Sequence, residues 1–215
     1  MKHKLKNIYK RLYSKFGPQF WWPGASAFEV MIGAILTQNT NWSNVEKAIA
    51  VLKGKKLLNA KKLYRLSPKK LASLIKPAGY YNIKAGRLRN FLKFVHENYS
   101  ADVKKMSGAP LAVLRGQLLG VNGIGQETAD SMLLYGLNKP TFVVDAYTKR
   151  ILSRHKLIKK EADYKEVQDI FMRNLKQDTK LFNEFHALLV KTAQEFCRKQ
   201  NPKCRICPLW PIKNA

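Results

Sequence analysis

Three closely spaced glycines, and one aspartate that follows them, are the residues of this sequence best suited to binding and catalysis. Gly120, Gly123 and Gly125 form the cluster, and Asp145 comes twenty residues after the last of them. Glycine permits a positive φ angle and a close approach of the backbone, which a side chain would block. We predict a helix end, a hairpin and a new helix start here, with exposed backbone N–H groups that would hold a phosphate.

The glycine-rich segment and the aspartate together resemble the helix-hairpin-helix DNA glycosylase superfamily. In that superfamily a glycine-rich hairpin grips the backbone of damaged DNA, and the following Asp drives loss of the base. The resemblance covers nearly the whole chain. It implies that the hairpin binds the DNA backbone through Gly120, Gly123, Ile124, Gly125, Gln126, Glu127 and Thr128.

Glu127 distinguishes between two branches of this superfamily. The endonuclease III branch has at this position a Lys that forms a Schiff base with the sugar, and a carboxylate cannot be that nucleophile. The resemblance therefore points to the monofunctional branch. It is closest to the bacterial 3-methyladenine DNA glycosylase III group, whose hairpin also reads Gly-Ile-Gly-x-Glu. We interpret Glu127 as a carboxylate that complements a helix dipole, with a role at the base pocket as the alternative.

Asp145 is the residue that the resemblance makes catalytic. Breaking an N-glycosidic bond builds positive charge on the sugar, and a fixed carboxylate stabilises that charge or orients the attacking water. Aspartate is also a favoured helix N-cap, and a helix is expected to run through Tyr147 and Ile151. The two roles are compatible, and we expect Asp145 to have both.

The resemblance implies a base pocket lined by tryptophan side chains. Trp21 and Trp22 precede Pro23, which favours an extended backbone before it, and Trp42 follows a Gln-Asn-Thr motif. Electron-rich rings bind a cationic alkylated purine by stacking and cation–π attraction. We expect Trp21, Trp22 and Trp42 to line this pocket, with ordinary aromatic packing as the alternative. Trp42 stands where the group is expected to have Phe.

Gln38 and Asn39 occupy the place where the superfamily has a wedge residue. A polar amide there can pair with the base left opposite the extruded nucleotide. A turn-forming role is the alternative for Asn39. Farther along the chain, Lys84, Arg87 and Arg89 are expected to reach phosphates.

The cysteines lie together near the end of the chain, as Cys197, Cys204 and Cys207. Clustered thiols in a cytoplasmic protein suggest a metal rather than a disulfide. The spacing matches three of the four ligands of the endonuclease III iron–sulfur loop, but Lys213 stands at the fourth position. A degenerate remnant, a [4Fe–4S] cluster with a substituted or absent ligand, and another metal on three thiolates all remain open. We interpret His186 as a core histidine rather than a ligand.

The charge of the chain indicates a polyanionic partner. It has 40 Lys and Arg against 14 Asp and Glu, a formal charge of +26 spread along its length. No apolar run approaches the ~18 residues of a membrane span, and residues 1–17 lack the apolar block of a signal peptide. We expect a cytoplasmic, nucleoid-associated protein that binds double-stranded DNA with a damaged base and no membrane.

The spacing of apolar residues predicts an all-α fold. An amphipathic helix is expected within residues 1–17, with Leu5, Ile8, Leu12 and Phe16 on one face. The further predicted helices are 27–36, 42–52, 60–66, 68–75, 82–98, 110–118, 126–135, 144–155, 164–175 and 181–196. The resemblance implies two helical lobes, residues 30–135 and residues 1–29 plus 136–215, with a cleft between them for the flipped nucleotide.

These features lead to one expected function and two alternatives. We expect a monomeric, monofunctional DNA N-glycosylase that flips and excises alkylated purines of the 3-methyladenine type, with no cofactor needed for the chemistry. An endonuclease III-like glycosylase and lyase for oxidised pyrimidines or mismatches is the enzymatic alternative. A helix-hairpin-helix DNA-binding module is the non-enzymatic one. Release of free base separates both enzymes from the module, and strand cleavage separates the two enzymes.

Overall fold

The predicted all-α architecture is confirmed. The computed structural model describes residues 1–21 and 24–210, and no β-strand occurs among them. Across those same residues, no helix combines the length and apolar character needed to cross a bilayer. The α-helices are α1 (Lys2–Phe16), α2 (Ala27–Leu36), α3 (Trp42–Gly54), α4 (Ala60–Tyr64), α5 (Pro68–Leu74), α6 (Tyr81–Tyr99), α7 (Leu111–Leu119), α8 (Gln126–Ser131), α9 (Ala146–Arg154), α10 (Tyr164–Asn174) and α11 (Thr179–Glu195).

The chain divides into two compact units. The central unit is Trp22–Lys139, and the terminal unit consists of Met1–Trp21 and Pro140–Ala215. The lobes expected from the sequence, with a cleft for the flipped nucleotide, stay a prediction.

Helix α2 is the core helix of the central unit. Every residue from Phe28 to Leu36 is buried, as a helix that is apolar on all sides requires. The helix begins where the Glu29 N–H donates to the Ser26 hydroxyl at 3.2 Å. The Glu29 carboxylate is itself buried and lies 2.6 Å from the Lys53 ammonium, which compensates its charge.

Helix α8 differs from its sequence prediction at its end. A continuous helix was expected over 126–135, but the α-helix ends at Ser131 and a π-helical turn follows over Met132–Gly136. The wider turn buries Met132, Leu133 and Leu134, three consecutive apolar residues, in the central unit.

Helices α7 and α8 are tied together by an ion pair. The Arg115 guanidinium donates to Asp130 twice, from Nε to Oδ1 at 2.8 Å and from Nη2 to Oδ2 at 3.0 Å. The Asp130 side chain is fully buried, and that of Arg115 is 28% exposed. A fork-to-carboxylate contact fixes angle as well as distance. It therefore sets how the two helices approach the hairpin that joins them.

The terminal unit is built around an aromatic cluster. The Phe142 and Phe171 rings are stacked with centroids 3.6 Å apart, and Phe182 and Phe185 meet Phe142 edge-on. Phe142 lies three residues before Asp145, so the cluster holds the segment that leads into α9 in place.

Helix α1 has the amphipathic character predicted for it. Leu5, Ile8 and Leu12 are fully buried, while Phe16 is half-buried beside Phe196. Tyr9 adds an edge contact to Phe185, with ring centroids 5.4 Å apart. The N-terminal helix is thus part of the core of the terminal unit.

We predict that Asp130→Asn destabilises the protein by about 3 kcal/mol, because it leaves the Arg115 charge without its carboxylate at a buried site. The free energy of unfolding in urea measures the loss. The matched control is Asp169→Asn, which removes an exposed carboxylate from its pairs with Lys165 and Arg173 and should change stability little. Equal losses for both variants would contradict the structural role of the Asp130 pair.

Candidate functional site

The hairpin between α7 and α8 is a compact turn anchored by buried side chains. The Val121 N–H donates to the Leu118 carbonyl at 3.1 Å, and the Ile124 N–H donates to the Val121 carbonyl at 3.0 Å. Val121 and Ile124 are buried in the central unit, whereas Asn122 at the tip is exposed. The hairpin is therefore fixed by its apolar side and open to solvent on the other.

The three glycines differ in how they use the conformational freedom that glycine permits. Gly123 has φ +94°, and a Cβ there would lie 2.3 Å from the Arg87 Cγ. Gly120 has φ −72° and Gly125 has φ −89°, which any residue can adopt. Added Cβ atoms at Gly125 would meet nothing within 4 Å, so the space in front of this glycine is open.

The predicted backbone-binding residues separate by exposure. Gly120, Gly125, Gln126 and Glu127 are exposed, whereas Ile124 and Thr128 are buried and offer no free side chain at the surface. Glu127 lies in the first turn of α8, where a carboxylate complements the positive end of the helix.

Gln38 is bound to the turn of the hairpin and to the helix that follows it. Its Nε2 donates to the Gly123 carbonyl at 3.1 Å and to the Thr128 hydroxyl at 2.9 Å. The Arg87 guanidinium donates to its Oε1. Both the nitrogen and the oxygen of the side-chain amide are thus hydrogen-bonded within the protein. A wedge role would require these hydrogen bonds to break. The sequence did not indicate this clamp, because it joins residues 85 and 90 positions apart.

Asn39, the second predicted wedge residue, lies in the turn after α2. It is exposed and has φ +55°, a conformation that Asn tolerates better than most residues. Its turn-forming role is therefore met, and its wedge role stays a prediction.

The expected phosphate contact is wrong for Lys84. Its side chain is 1% exposed, and its ammonium donates to the Ala78 carbonyl at 2.7 Å. Burial, followed by the charge of Arg87, lowers the pKa of Lys84. Arg89 is also engaged internally, since its Nη1 donates to the Leu66 carbonyl at 2.6 Å.

Asp145 is the N-cap of α9, as expected. Its Oδ1 accepts a hydrogen bond from the Thr148 N–H at 2.7 Å, and its backbone is extended with φ −111°. The carboxylate is 12% exposed, so it is almost entirely removed from water. The cap fixes the side chain at the start of the helix.

His186 is the residue of this site whose role the sequence did not reveal. It is buried as expected, but its Nε2 lies 3.5 Å from Asp145 Oδ2. Burial alone would raise the pKa of Asp145, but the charge and contact of His186, together with hydrogen bonding to Thr148, lower it. Asp145 is therefore a fixed carboxylate at neutral pH. One signal was available in the sequence: a polar residue on an apolar helix face needs a partner.

Two of the three tryptophans predicted to line the base pocket, Trp21 and Trp42, lie among the described residues. Trp42 is half-buried in the first turn of α3, packs against the core of the central unit, and donates from Nε1 to Glu46 Oε1 at 2.9 Å. Trp21 is half-buried in the terminal unit. Trp22 lies outside the described residues. The base-pocket role of all three stays a prediction.

The cysteine loop does not have the ligand set of a four-thiolate cluster. Cys197 is buried, Cys207 is half-buried and Cys204 is exposed, and all three are free thiols. Through residue 210, leaving out 22 and 23, no group of three or more His, Cys, Asp or Glu residues is arranged to hold a metal ion. Lys213 lies outside the described residues. The described residues do not fit a four-thiolate iron–sulfur cluster.

Two arginines of α9 hold this loop instead. Arg150 Nε donates to the Cys197 carbonyl at 2.7 Å. Arg154 donates to the Arg198 carbonyl at 2.6 Å and the Lys199 carbonyl at 3.1 Å, with its Nη1 3.3 Å from Cys197 Sγ. Burial raises the pKa of Cys207; a backbone hydrogen bond at Leu209 opposes this, and the charges of the other two cysteines add to it. These guanidinium contacts tie three backbone carbonyls of the loop to α9.

We predict that Gln38→Ala loosens the hairpin, because the Gly123 carbonyl and the Thr128 hydroxyl lose their shared donor. Amide hydrogen exchange at Ile124 should accelerate by about tenfold or more, which corresponds to roughly 1.4 kcal/mol of lost local stability. The control is Gln117→Ala, an exposed glutamine of α7 whose Oε1 accepts from the Tyr99 hydroxyl. Unchanged exchange at Ile124 in Gln38→Ala would show that the clamp is dispensable.

Comparison with known proteins identifies the family of the chain. The profile of the family described as "HhH-GPD superfamily base excision DNA repair protein" matches residues 32–177, which include the hairpin and Asp145. A Methanocaldococcus jannaschii protein, provisionally named a DNA repair glycosylase, is 48% identical over 203 residues, 94% of this chain and 92% of that protein. Endonuclease III of Thermotoga maritima is 29% identical over 184 residues, 84% of this chain and 79% of its own.

Solved structures agree with this assignment. The Helicobacter pylori 3-methyladenine DNA glycosylase, crystallised with 1,N6-ethenoadenine, is 29% identical and superposes with a TM-score of 0.77, over 90% of this chain and 96% of that one. An endonuclease III trapped in a covalent complex with DNA has the same fold, with 19% identity and a TM-score of 0.83 over 97% and 93% of the two chains. The chain is thus a member of the HhH-GPD superfamily of base excision DNA repair proteins.

Proposed function

We propose that this protein is a monofunctional DNA glycosylase that excises alkylated purines of the 3-methyladenine type. The observation that carries the proposal is Asp145, a buried carboxylate held ionised at the start of α9. A fixed negative charge is what the sugar requires as its bond to the base breaks. We propose that the protein acts as a monomer and that its partner is double-stranded DNA with a damaged base. Its proposed location is the cytoplasm, in association with the nucleoid.

The exposed end of the hairpin is suited to a DNA backbone. Gly125 leaves its surroundings open, and the N–H groups of Gly125 and Gln126 precede the first internal hydrogen bond of α8, which the Ala129 N–H donates to the Gly125 carbonyl. A phosphate could approach these donors closely, and the +26 charge of the chain favours the association. Gln38 would keep the hairpin in shape as the DNA binds.

The low pKa of Asp145 also favours a particular class of lesion. A neutral purine leaves readily only when an acid protonates it, whereas a 3-methylpurine nucleotide already carries a positive charge and departs as a neutral base. An ionised carboxylate cannot donate a proton, but it can stabilise the developing sugar cation or orient water toward it. The bonding electrons leave with the base, water supplies the new hydroxyl and releases its other proton to the solvent, and the DNA strand stays intact.

Aromatic residues support the same substrate class. Trp42, with its indole N–H held by Glu46, has a fixed ring orientation, and a fixed ring gains stacking energy at little cost in entropy. We propose that Trp21, Trp22 and Trp42 bind the cationic base. The likeness to a 3-methyladenine glycosylase crystallised with a modified adenine adds support for a purine.

An endonuclease III-like lyase is the second candidate, because endonuclease III of T. maritima aligns with 84% of this chain. Glu127 counts against it, since it occupies the position of the Schiff-base lysine. Lys84 has the lowered pKa that such an amine needs, but it is buried and bonded to the Ala78 carbonyl. A DNA-binding module without chemistry would use Asp145 only as the N-cap of α9 and would not account for its burial as an ionised carboxylate.

We predict that Asp145→Asn lowers release of 3-methyladenine from methylated DNA by at least about 100-fold, because the transition state loses its charge partner. Chromatography of the released bases under single-turnover conditions measures the rate. Asp178→Asn is the matched control, since Asp178 caps α11 in the same way, with its carboxylate 2.8 Å from the Leu181 N–H. Near wild-type excision by Asp145→Asn would remove this residue from the mechanism.

We also predict that borohydride traps no covalent complex between the enzyme and DNA, because a carboxylate at position 127 cannot form an imine. The abasic product should remain uncut until alkali is added, as judged by denaturing gel electrophoresis. Glu127→Lys provides the comparison, since it restores the amine of the lyase branch. A strong adduct with the unaltered protein would favour the endonuclease III-like alternative.

A further inference from the structure

The contact between His186 and Asp145 joins the catalytic helix to α11. We propose that His186 is a positioning residue that holds the Asp145 carboxylate in its reactive orientation and keeps it ionised, and that it thereby sets the low-pH limit of base release. The inference rests on the proposed function, because it assumes that Asp145 acts in base release. His186 itself need not touch the DNA.

The two oxygens of Asp145 have separate partners. Oδ1 accepts from the Thr148 N–H within its own helix, and Oδ2 faces His186 Nε2 at 3.5 Å. The cap alone would leave the carboxylate free to swing about the Oδ1 contact. A second partner on a different helix restricts that motion, as a positioned catalytic group requires.

The imidazole is held by its surroundings. The His186 side chain is 6% exposed, and its ring meets Phe142 nearly edge-on, with centroids 6.3 Å apart and planes at 77°. Its neighbours Phe185 and Ala187 are buried as well. A ring packed in this way cannot leave Asp145 without disturbing the aromatic cluster of the terminal unit.

Charge compensation gives the contact its chemical meaning. Removal of Asp145 from water favours the neutral acid, and the contact with His186 opposes that effect, so that the pKa of Asp145 is lowered overall. Without the imidazole, burial would act against the Thr148 contact alone. Asp145 would then take up a proton at a higher pH and lose its catalytic charge.

Other titratable groups on the surrounding elements have contacts elsewhere. On α9, Lys149 donates to the Ala162 carbonyl and Arg150 to the Cys197 carbonyl. Three further groups, one each on α10, α11 and α1, also have partners other than the Asp145 carboxylate: the Tyr164 hydroxyl accepts from the Val144 N–H, Glu184 accepts from the Gln19 N–H, and the Tyr9 ring meets Phe185. Of the groups that lower the pKa of Asp145, His186 has the largest effect, followed by Thr148.

The test compares the pH dependence of base release in His186→Ala, His186→Gln and wild-type protein. Activity requires the carboxylate, so it should fall as the pH drops through the pKa of Asp145. We expect this fall to begin at higher pH in His186→Ala. Between about pH 7 and pH 4.5, the rate of the variant relative to wild type should drop by about tenfold or more. His186→Gln keeps a neutral donor and should lie between the two.

A second readout does not depend on activity. The ¹³C resonance of the Asp145 carboxyl, titrated by NMR in the folded proteins, should respond at higher pH in both variants than in wild type. His155→Gln is the control, since this histidine ends α9 and lies outside the contact with Asp145. Its pH profile should match that of wild type.

The outcomes separate the two proposals. If His186→Gln and His186→Ala leave both the acid limb and the carboxyl titration unchanged, the positioning role is refuted. If His186→Ala fails to fold, His186→Gln decides by the same two measurements. If Asp145→Asn excises normally, the proposed function of Asp145 fails, whereas the NMR titration still determines whether His186 keeps the carboxylate ionised.

Discussion

The burial of one negative charge is the constraint on which the terminal unit depends. An ionised carboxylate removed from water costs several kcal/mol unless nearby groups compensate it. The protein compensates Asp145 from two sides, with the Thr148 N–H at the start of α9 and the imidazole of His186 on α11. Both partners depend on helix positions that the aromatic cluster around Phe142 maintains. The ionisation of Asp145 therefore depends on the packing of the terminal unit.

The central unit is subject to a different constraint, because its hairpin must be rigid while the tip stays exposed. Apolar side chains hold it from one side, and the Arg115–Asp130 pair sets the approach of its two helices. Gln38 then supplies the donors that the inner face of the turn lacks. The result is an exposed hairpin end whose backbone position is fixed before any ligand arrives, which reduces the entropy lost on binding.

Local pattern was enough to predict the helices, the hairpin and the cap at Asp145, because these depend on residues within a few positions of one another. Two contacts escaped prediction for the opposite reason. Gln38 reaches partners 85 and 90 residues away, and His186 meets an aspartate on another helix. Glycine spacing marks only where a positive φ is allowed, and among the three glycines Gly123 alone uses it. The π turn after α8 has no signal that simple periodicity can detect.

The position of Arg87 against Gly123 has an evolutionary consequence. The aliphatic part of the arginine occupies the space that a Cβ at position 123 would need, while its guanidinium donates to Gln38. A larger residue at position 123 would have to displace this side chain, and a shorter residue at position 87 would leave the glutamine without its donor. Positions 38, 87 and 123 can therefore diverge only together, and in descendants of this sequence they should be inherited as a set.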